Sequence, residues 1–347
     1  MGDLWPVSSC LRRPVSAGAG VEIVHNGESA HYHGVQTCSS AWTCPVCSGR
    51  IMAGRKEEIE KILKRAAGKG WSSLFITVTL QHHTGSRLAA LLKGLTESWR
   101  FVFSGDRTGE RRPLARVMAQ IKTVEVRYGQ NSWHPHLHVL LLVNESGLDE
   151  TQAGLFEDEL SEVIYSRYAR KAEKLGFISA REAYNCHPVK IAGAAAHYVT
   201  KLESVLEMTS PETKEGQAAG ARSYTAFQLL GLYERGARDI YGHSIEALYQ
   251  EYAEATKGKR QVSYSREIKA LLEIEEKTDE ELTQEDQEEH ILAVISLPVW
   301  RLICARKLRG KLLNVADSGD QEKVDAWLLA LAATTPPAAA GRQISDF

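Results

Sequence analysis

Apolar positions recur along this chain with two periods, and the switches between them predict its elements. From Arg50 to about Gly70, Ile51, Ile59, Ile62, Leu63 and Ala66 fall at helical spacing, with Gly68 and Gly70 as the stop. Leu74 to Gln81 (LFITVTLQ) alternates as a strand: Leu74, Ile76, Val78 and Leu80 on one face, Phe75, Thr77, Thr79 and Gln81 on the other. A second helix carries Leu88, Leu91, Leu92, Leu95, Trp99 and Val102 along one stripe, and a basic loop, 105–113, follows it. Gln120 to Arg127 and Trp133 to Val143 then read as two strands joined by a polar turn. Glu150 to Gly176 is a long helix with Leu155, Leu160, Val163, Ile164 and Tyr168 on its apolar side, and 177–190 is irregular or weakly β. The Ala-rich stretch 191–208 has strong helix propensity. Beyond it the pattern predicts helices over 223–232 and 244–256.

The strand WHPHLHVLLLV, 133–143, carries the most pointed chemistry. Side chains alternate faces in a strand, so His134, His136 and His138 share one face. Pro135, Leu137, Val139, Leu141 and Val143 form an apolar back that requires burial. Imidazoles two residues apart can converge on a divalent metal; the plain alternative is three surface histidines. With Gln130 and Asn131 centring the turn, Glu125 faces His136, Thr123 faces His138 and Ile121 faces Leu140. On that register Glu125 is a hard, anionic third ligand, and a one-residue slip would turn it to the other face, where it is a surface ion pair.

Composition bounds the rest. The 347 residues suffice for about two domains, and 25% charged content is that of an ordinary globular protein. No signal-peptide core and no long apolar run is present, which predicts a cytoplasmic protein. The net charge is −2, yet Glu267 to Glu289 holds 11 acidic residues against Lys269 and Lys277, leaving +7 for the remainder. Basic clusters at 50–56, 107–116, 257–260 and 306–311 are compatible with nucleic acid, or with ordinary solvated surface.

In a reducing compartment cysteines point to metal or thiols before disulfides. Cys38, Cys44 and Cys47 have zinc-knuckle spacing, and Zn²⁺ takes four thiolate or imidazole ligands. Cys10 is the expected fourth ligand, with His31 and His33 as competitors and a redox CxxC as the alternative. A closed four-ligand site stabilises; it leaves no position for substrate.

On the helix over 191–208, Tyr198 and Lys201 lie one turn apart. A tyrosine on an Ala-rich helix is by itself more often a packing residue than a nucleophile. Three motifs in order, LFITVTLQ at 74–81, HPHLHVLL at 134–141 and AHYVTK at 196–201, resemble the HUH endonucleases, most closely the initiators of rolling-circle plasmids and related phages. The segment CSSAWTCPVCSGRI, 38–51, resembles the zinc-binding stretch that precedes the nuclease in one branch of them. The resemblance spans roughly Cys10 to Glu207. It implies an α+β fold with a central antiparallel sheet flanked by helices, in which His136 and His138 are metal ligands and His134 stands behind them. It implies Mg²⁺ or Mn²⁺ for catalysis and Zn²⁺ for structure, single-stranded and origin DNA as substrate, and host helicase and DNA polymerase as partners. It implies that Tyr198 attacks phosphorus and remains attached, that Lys201 contacts the phosphate or lowers the phenol's pKa, and that the product is a 5′-phosphotyrosine with a free 3′-OH. In some such initiators a glutamate precedes the tyrosine by one turn and ends replication; here Ala194 stands there, with Glu203 and Glu207 on the far side.

The expected division is a zinc-binding segment and helix (1–70), a nuclease domain (71–208), a helical region read as contacting origin DNA (209–265), an acidic segment (266–290), a small helical module (291–332) and a disordered tail (333–347). Other readings are a relaxase or single-strand transposase of the same chemistry, and a zinc-stabilised DNA-binding regulator with structural histidines. A cupin-like metalloenzyme would need a downstream glutamate, and residues 140–143 are all apolar.

Overall fold

Alternation in the two middle strands builds the sheet that organises the larger part of the molecule. The computed structural model describes residues 5–16, 20–25, 27, 29–106, 108–189, 216–218, 221–284 and 290–333. The chain divides into two units, one formed by 40–282 and the other by 1–39 with 283–347.

In chain order the strands are β1 (Val21–His25), β2 (Ala30–His33), β3 (Trp71–Thr79), β4 (Val117–Gly129), β5 (Ser132–Asn144), β6 (Asn185–Val189), β7 (Gly216–Ala218), β8 (Ala221–Thr225), β9 (Asp239–Ile240), β10 (His243–Ser244), β11 (Val262–Tyr264) and β12 (His290–Ile295). The larger unit holds a sheet of order β6-β3-β5-β4-β8-β7, with β11 also paired to β4. Each of its pairings is antiparallel. The fold class is therefore the α+β antiparallel arrangement expected from the sequence. The β4–β5 turn closes at Gly129↔Ser132, so Glu125 pairs with His136, Thr123 with His138 and Ile121 with Leu140, as the turn chemistry predicted.

One face of the sheet is largely apolar, although Gln120 and Lys122 of β4 share it. Leu74, Ile76, Val78, Leu137, Val139, Leu141 and Val143 pack with Leu91, Leu95 and Trp99 of the helix Leu88–Val102 and with Leu160, Ile164 and Tyr168 of the helix Glu150–Lys174. Gly94 is one place where a side chain could not fit, because Phe177 lies against it. The histidine face is divided. Phe75, Ile121, Leu140 and Leu142 are buried. Tyr264, which shares the face of Ile121 by register, donates to Glu58 at 2.8 Å, setting the helix Pro45–Gly68 over this half. The polar half is left for the histidines.

Several elements differ from expectation. Residues 223–225, expected to begin a helix, instead end β8, because an alternating Ser-Tyr-Thr run finds Arg127 and Tyr128 of β4 to pair with. The helix starts at Ala226, with Thr225 and Gln228 forming a capping box. Within the basic stretch 257–266, Val262–Tyr264 adds a strand to β4. The acidic stretch is anchored: Arg55, buried on the helix Pro45–Gly68, binds Glu58 at 2.8 Å and Asp279 at 2.7 Å, and the Lys277 amide donates to Glu58 at 2.9 Å. In the smaller unit β12 pairs with β1, which pairs with β2, and three helices (Leu297–Ala305, Arg309–Ala316, Gln321–Ala333) follow. Among the described residues no helix is long and apolar enough to cross a membrane.

Candidate active site

The β4–β5 hairpin presents Glu125, Arg127, His134, His136 and His138 on one face, because each lies an even number of residues from its neighbour or opposite it in register. His138 is held from two sides. Its Nε2–H donates to Oε2 of Glu125 at 3.0 Å, and Thr77 Oγ1, opposite it on β3, lies 3.1 Å from Nδ1. Phe75 stacks beside the ring at 5.7 Å. Glu125 is held by its second oxygen too, since Arg127 donates to Oε1 at 3.1 Å. Arg127 in turn donates through Nε to Ser223 Oγ on β8 at 3.0 Å.

The remaining imidazoles form a row. His136 lies 4.2 Å from His134, and His134 lies 4.4 Å from His82, ring to ring. His136 and His138 are 6.1 Å apart between centroids. His136, His138 and Glu125 share the face predicted for them. Among the described residues, however, the one group of three or more His, Cys, Asp or Glu closing to within 4.8 Å is the cysteine cluster. Nδ1 of His136 is buried and makes no hydrogen bond, which costs free energy unless something takes its lone pair.

Electrostatics favour an anionic Glu125 and neutral His134 and His136. Burial pushes the Glu125 carboxyl up, but the hydrogen bond and charge of His138, then His136 and Arg127, bring it down to about 2. Burial, then the neighbouring His134, pulls His136 down to about 3 against the opposing pull of Glu125. Burial and His82 pull His134 down to about 4. An anionic carboxylate beside neutral imidazoles is a mixed oxygen and nitrogen donor set that could hold a divalent cation.

The sulfurs of Cys10, Cys38, Cys44 and Cys47 lie within 4.8 Å of one another, a grouping that could hold a structural metal such as zinc. Cys44 occupies the N-cap position of the helix Pro45–Gly68, and Cys47 sits in its first turn. His31 and His33 are not members of the cluster; His33 instead pairs with Glu22 at 2.9 Å.

A family model described as replication protein, Rep_1, matches residues 30–301. The chain belongs to that family of replication proteins. This replication protein is 22% identical to "Protein rep" of Streptomyces lividans over 320 residues, covering 77% of its own length and 68% of the relative's. It is 25% identical to "Protein rep" of Streptococcus pneumoniae over 140 residues, 39% of its length and 41% of the relative's. It is also similar, at 29% over 147 residues, to a protein of Streptomyces cyanogenus named neomycin resistance protein, spanning a third of that chain. No solved structure matches it.

Tyr198, Lys201 and Ala194 of this replication protein lie outside the described residues, as do Glu203 and Glu207. Three participants of the site were not foreseen. Arg127 was detectable, since a residue two from Glu125 on a strand must share its face. Thr77 was placed on the correct strand face without its partner. His82 follows the end of β3, and no periodicity points to it.

Proposed function

We propose that this replication protein starts rolling-circle replication by nicking one DNA strand at an origin, where it binds single-stranded and origin DNA in the cytoplasm. The observation that supports this most is the Glu125–His138 contact at 3.0 Å with His136 on the same face, in a chain of this family.

His136, His138 and Glu125 are the residues that would hold Mg²⁺ or Mn²⁺, with His134 behind them. A cation there would polarise the scissile phosphate and stabilise charge on its oxygens. Tyr198 supplies the nucleophile. Its phenolic oxygen bonds to phosphorus as the bond to the 3′ oxygen breaks; the proton leaves the phenol and a proton is returned to the 3′ oxygen, giving 5′-phosphotyrosine and a free 3′-OH. Lys201 contacts the phosphate or favours the phenolate. The 3′-OH primes a host polymerase, with a host helicase opening the duplex, and reversal of the transfer rejoins the strand. Zn²⁺ on the four cysteines maintains structure.

The test is to incubate the full chain with single-stranded origin oligonucleotides and Mg²⁺ or Mn²⁺ and look for a denaturant-resistant adduct. Wild type should form it and Tyr198→Phe should not. An adduct that persists in Tyr198→Phe would refute the nucleophile assignment. Tight binding without any adduct would favour a DNA-binding regulator.

A further inference from the structure

We infer that Arg127 is the positioning residue for the Glu125 carboxylate, dividing its two oxygens so that one alone is offered beside the histidines. This rests on the reading of Glu125, His136 and His138 as the cation site. The division is visible in the contacts: Oε1 accepts from Arg127 at 3.1 Å, while Oε2 faces Nε2 of His138 at 3.0 Å. Both side chains of the ion pair are buried, so water competes weakly for either oxygen.

A second anchor fixes the guanidinium itself. Its Nε donates to Ser223 Oγ at 3.0 Å, on the strand β8 that pairs with Arg127 at Thr225. A planar guanidinium bonded through two of its nitrogens is fixed in orientation, which the single point charge of a lysine cannot reproduce. In chain order β8 follows the stretch bearing Tyr198, after the short strand β7. Arg127 thus links the candidate ligand to an element that follows the candidate nucleophile.

The chemical consequence is selectivity. A carboxylate offering one oxygen suits a small octahedral cation, whereas Ca²⁺ favours bidentate carboxylates and more ligands. Charge alone would act in the opposite sense. A fixed cation next to a cation site repels the ligand, so if charge were the whole role, removing Arg127 would tighten binding.

Calorimetric titration of Mn²⁺ into the full-length zinc-loaded protein tests this, with Ca²⁺ as competitor and nicking measured separately. Wild type should bind Mn²⁺ at a site that His138→Ala removes. Arg127→Gln and Arg127→Lys should each weaken Mn²⁺ by about 10-fold and narrow its preference over Ca²⁺. Ser223→Ala should weaken it by roughly 3-fold, a lesser loss of the same kind. In nicking assays the half-saturating Mn²⁺ should rise in the arginine variants while the rate at saturating Mn²⁺ largely recovers. Unchanged or tighter Mn²⁺ binding in Arg127→Gln, or wild-type binding in Arg127→Lys, overturns the inference. If wild type binds no Mn²⁺ that His138→Ala removes, the cation-site reading itself falls, and the inference with it.

Discussion

Glu125 stands opposite His136 in the ladder, yet its carboxylate bonds to His138. Diagonal neighbours across an antiparallel pair are within reach of long side chains, and twist decides which diagonal is nearer. His136 is meanwhile drawn against His134, ring to ring at 4.2 Å. The result is a linked set, Ser223–Arg127–Glu125–His138–Thr77, running across β8, β4, β5 and β3. His136 lies beside it with a buried, unsatisfied nitrogen.

That arrangement ranks the site variants. His136→Ala, His138→Ala and Glu125→Ala should each reduce adduct formation by roughly 100-fold or more, and His134→Ala by about 10-fold. Origin binding, read by fluorescence anisotropy, should be unchanged in all four. Retained nicking in His136→Ala would remove it from the ligand set.

The cysteine cluster predicts a metal-dependent fold for the segment around it. Purified protein should carry zinc, measured by elemental analysis, and Cys44→Ser should lose it. Because binding to four thiolates is worth on the order of 10 kcal/mol in small zinc modules, the variant should melt at a clearly lower temperature and become protease-sensitive near its N-terminus. Equal melting with and without Cys44 would show that the cluster holds no structural ion.

Much of the hairpin was legible because period and turn are local. Gln130–Asn131 set the register of Glu125 against His136, and the apolar back of β5 set which face is buried. The same alternation placed Thr77 on the histidine face, although only the three-dimensional sheet, with β3 beside β5, shows that it meets His138. β8, β11 and β12 were not legible: short strands of three to six residues have weak periodicity, and partners supplied from far along the chain decide them. The anchoring of the acidic stretch was not legible for another reason. Composition reports its charge, but not that Glu58 and Arg55 wait on a distant helix for Lys277 and Asp279.

That anchor is itself testable. Arg55 and Glu58 form a buried ion pair to which Tyr264 also donates, and Arg55→Met leaves the Glu58 carboxylate enclosed without its cation. Breaking one partner of such a pair costs about 3 kcal/mol or more. Asp279→Asn, at the more exposed end, should cost about 1 kcal/mol. The midpoint of urea unfolding should shift accordingly, with little change of slope. A shift in Arg55→Met no larger than in Asp279→Asn would show that the buried pair contributes nothing special.

The depressed histidines set an acid limit on the fold. His136 is held neutral down to about 3 by burial first and by His134, His138 and Arg127 after it, against Glu125. Its ordinary value, 6.5, applies in the unfolded chain. Between the two the unfolded state binds the extra proton, so the contribution is complete above pH 6.5 and is lost as pH falls towards 3. At pH 5 the loss from this one group is about 2 kcal/mol. His134 adds a loss of the same sign down to about 4, and Glu125 one that begins below its ordinary 4.5. His136→Gln removes the titrating group while keeping its size and polarity. Urea unfolding without added divalent cation, at pH 7.5 and pH 5.0, should therefore show the gap between wild type and variant shifting by about 2 kcal/mol in favour of the variant at the lower pH. Parallel losses in the two proteins would mean that His136 is already protonated in the folded state at pH 5, and hence a poor ligand there.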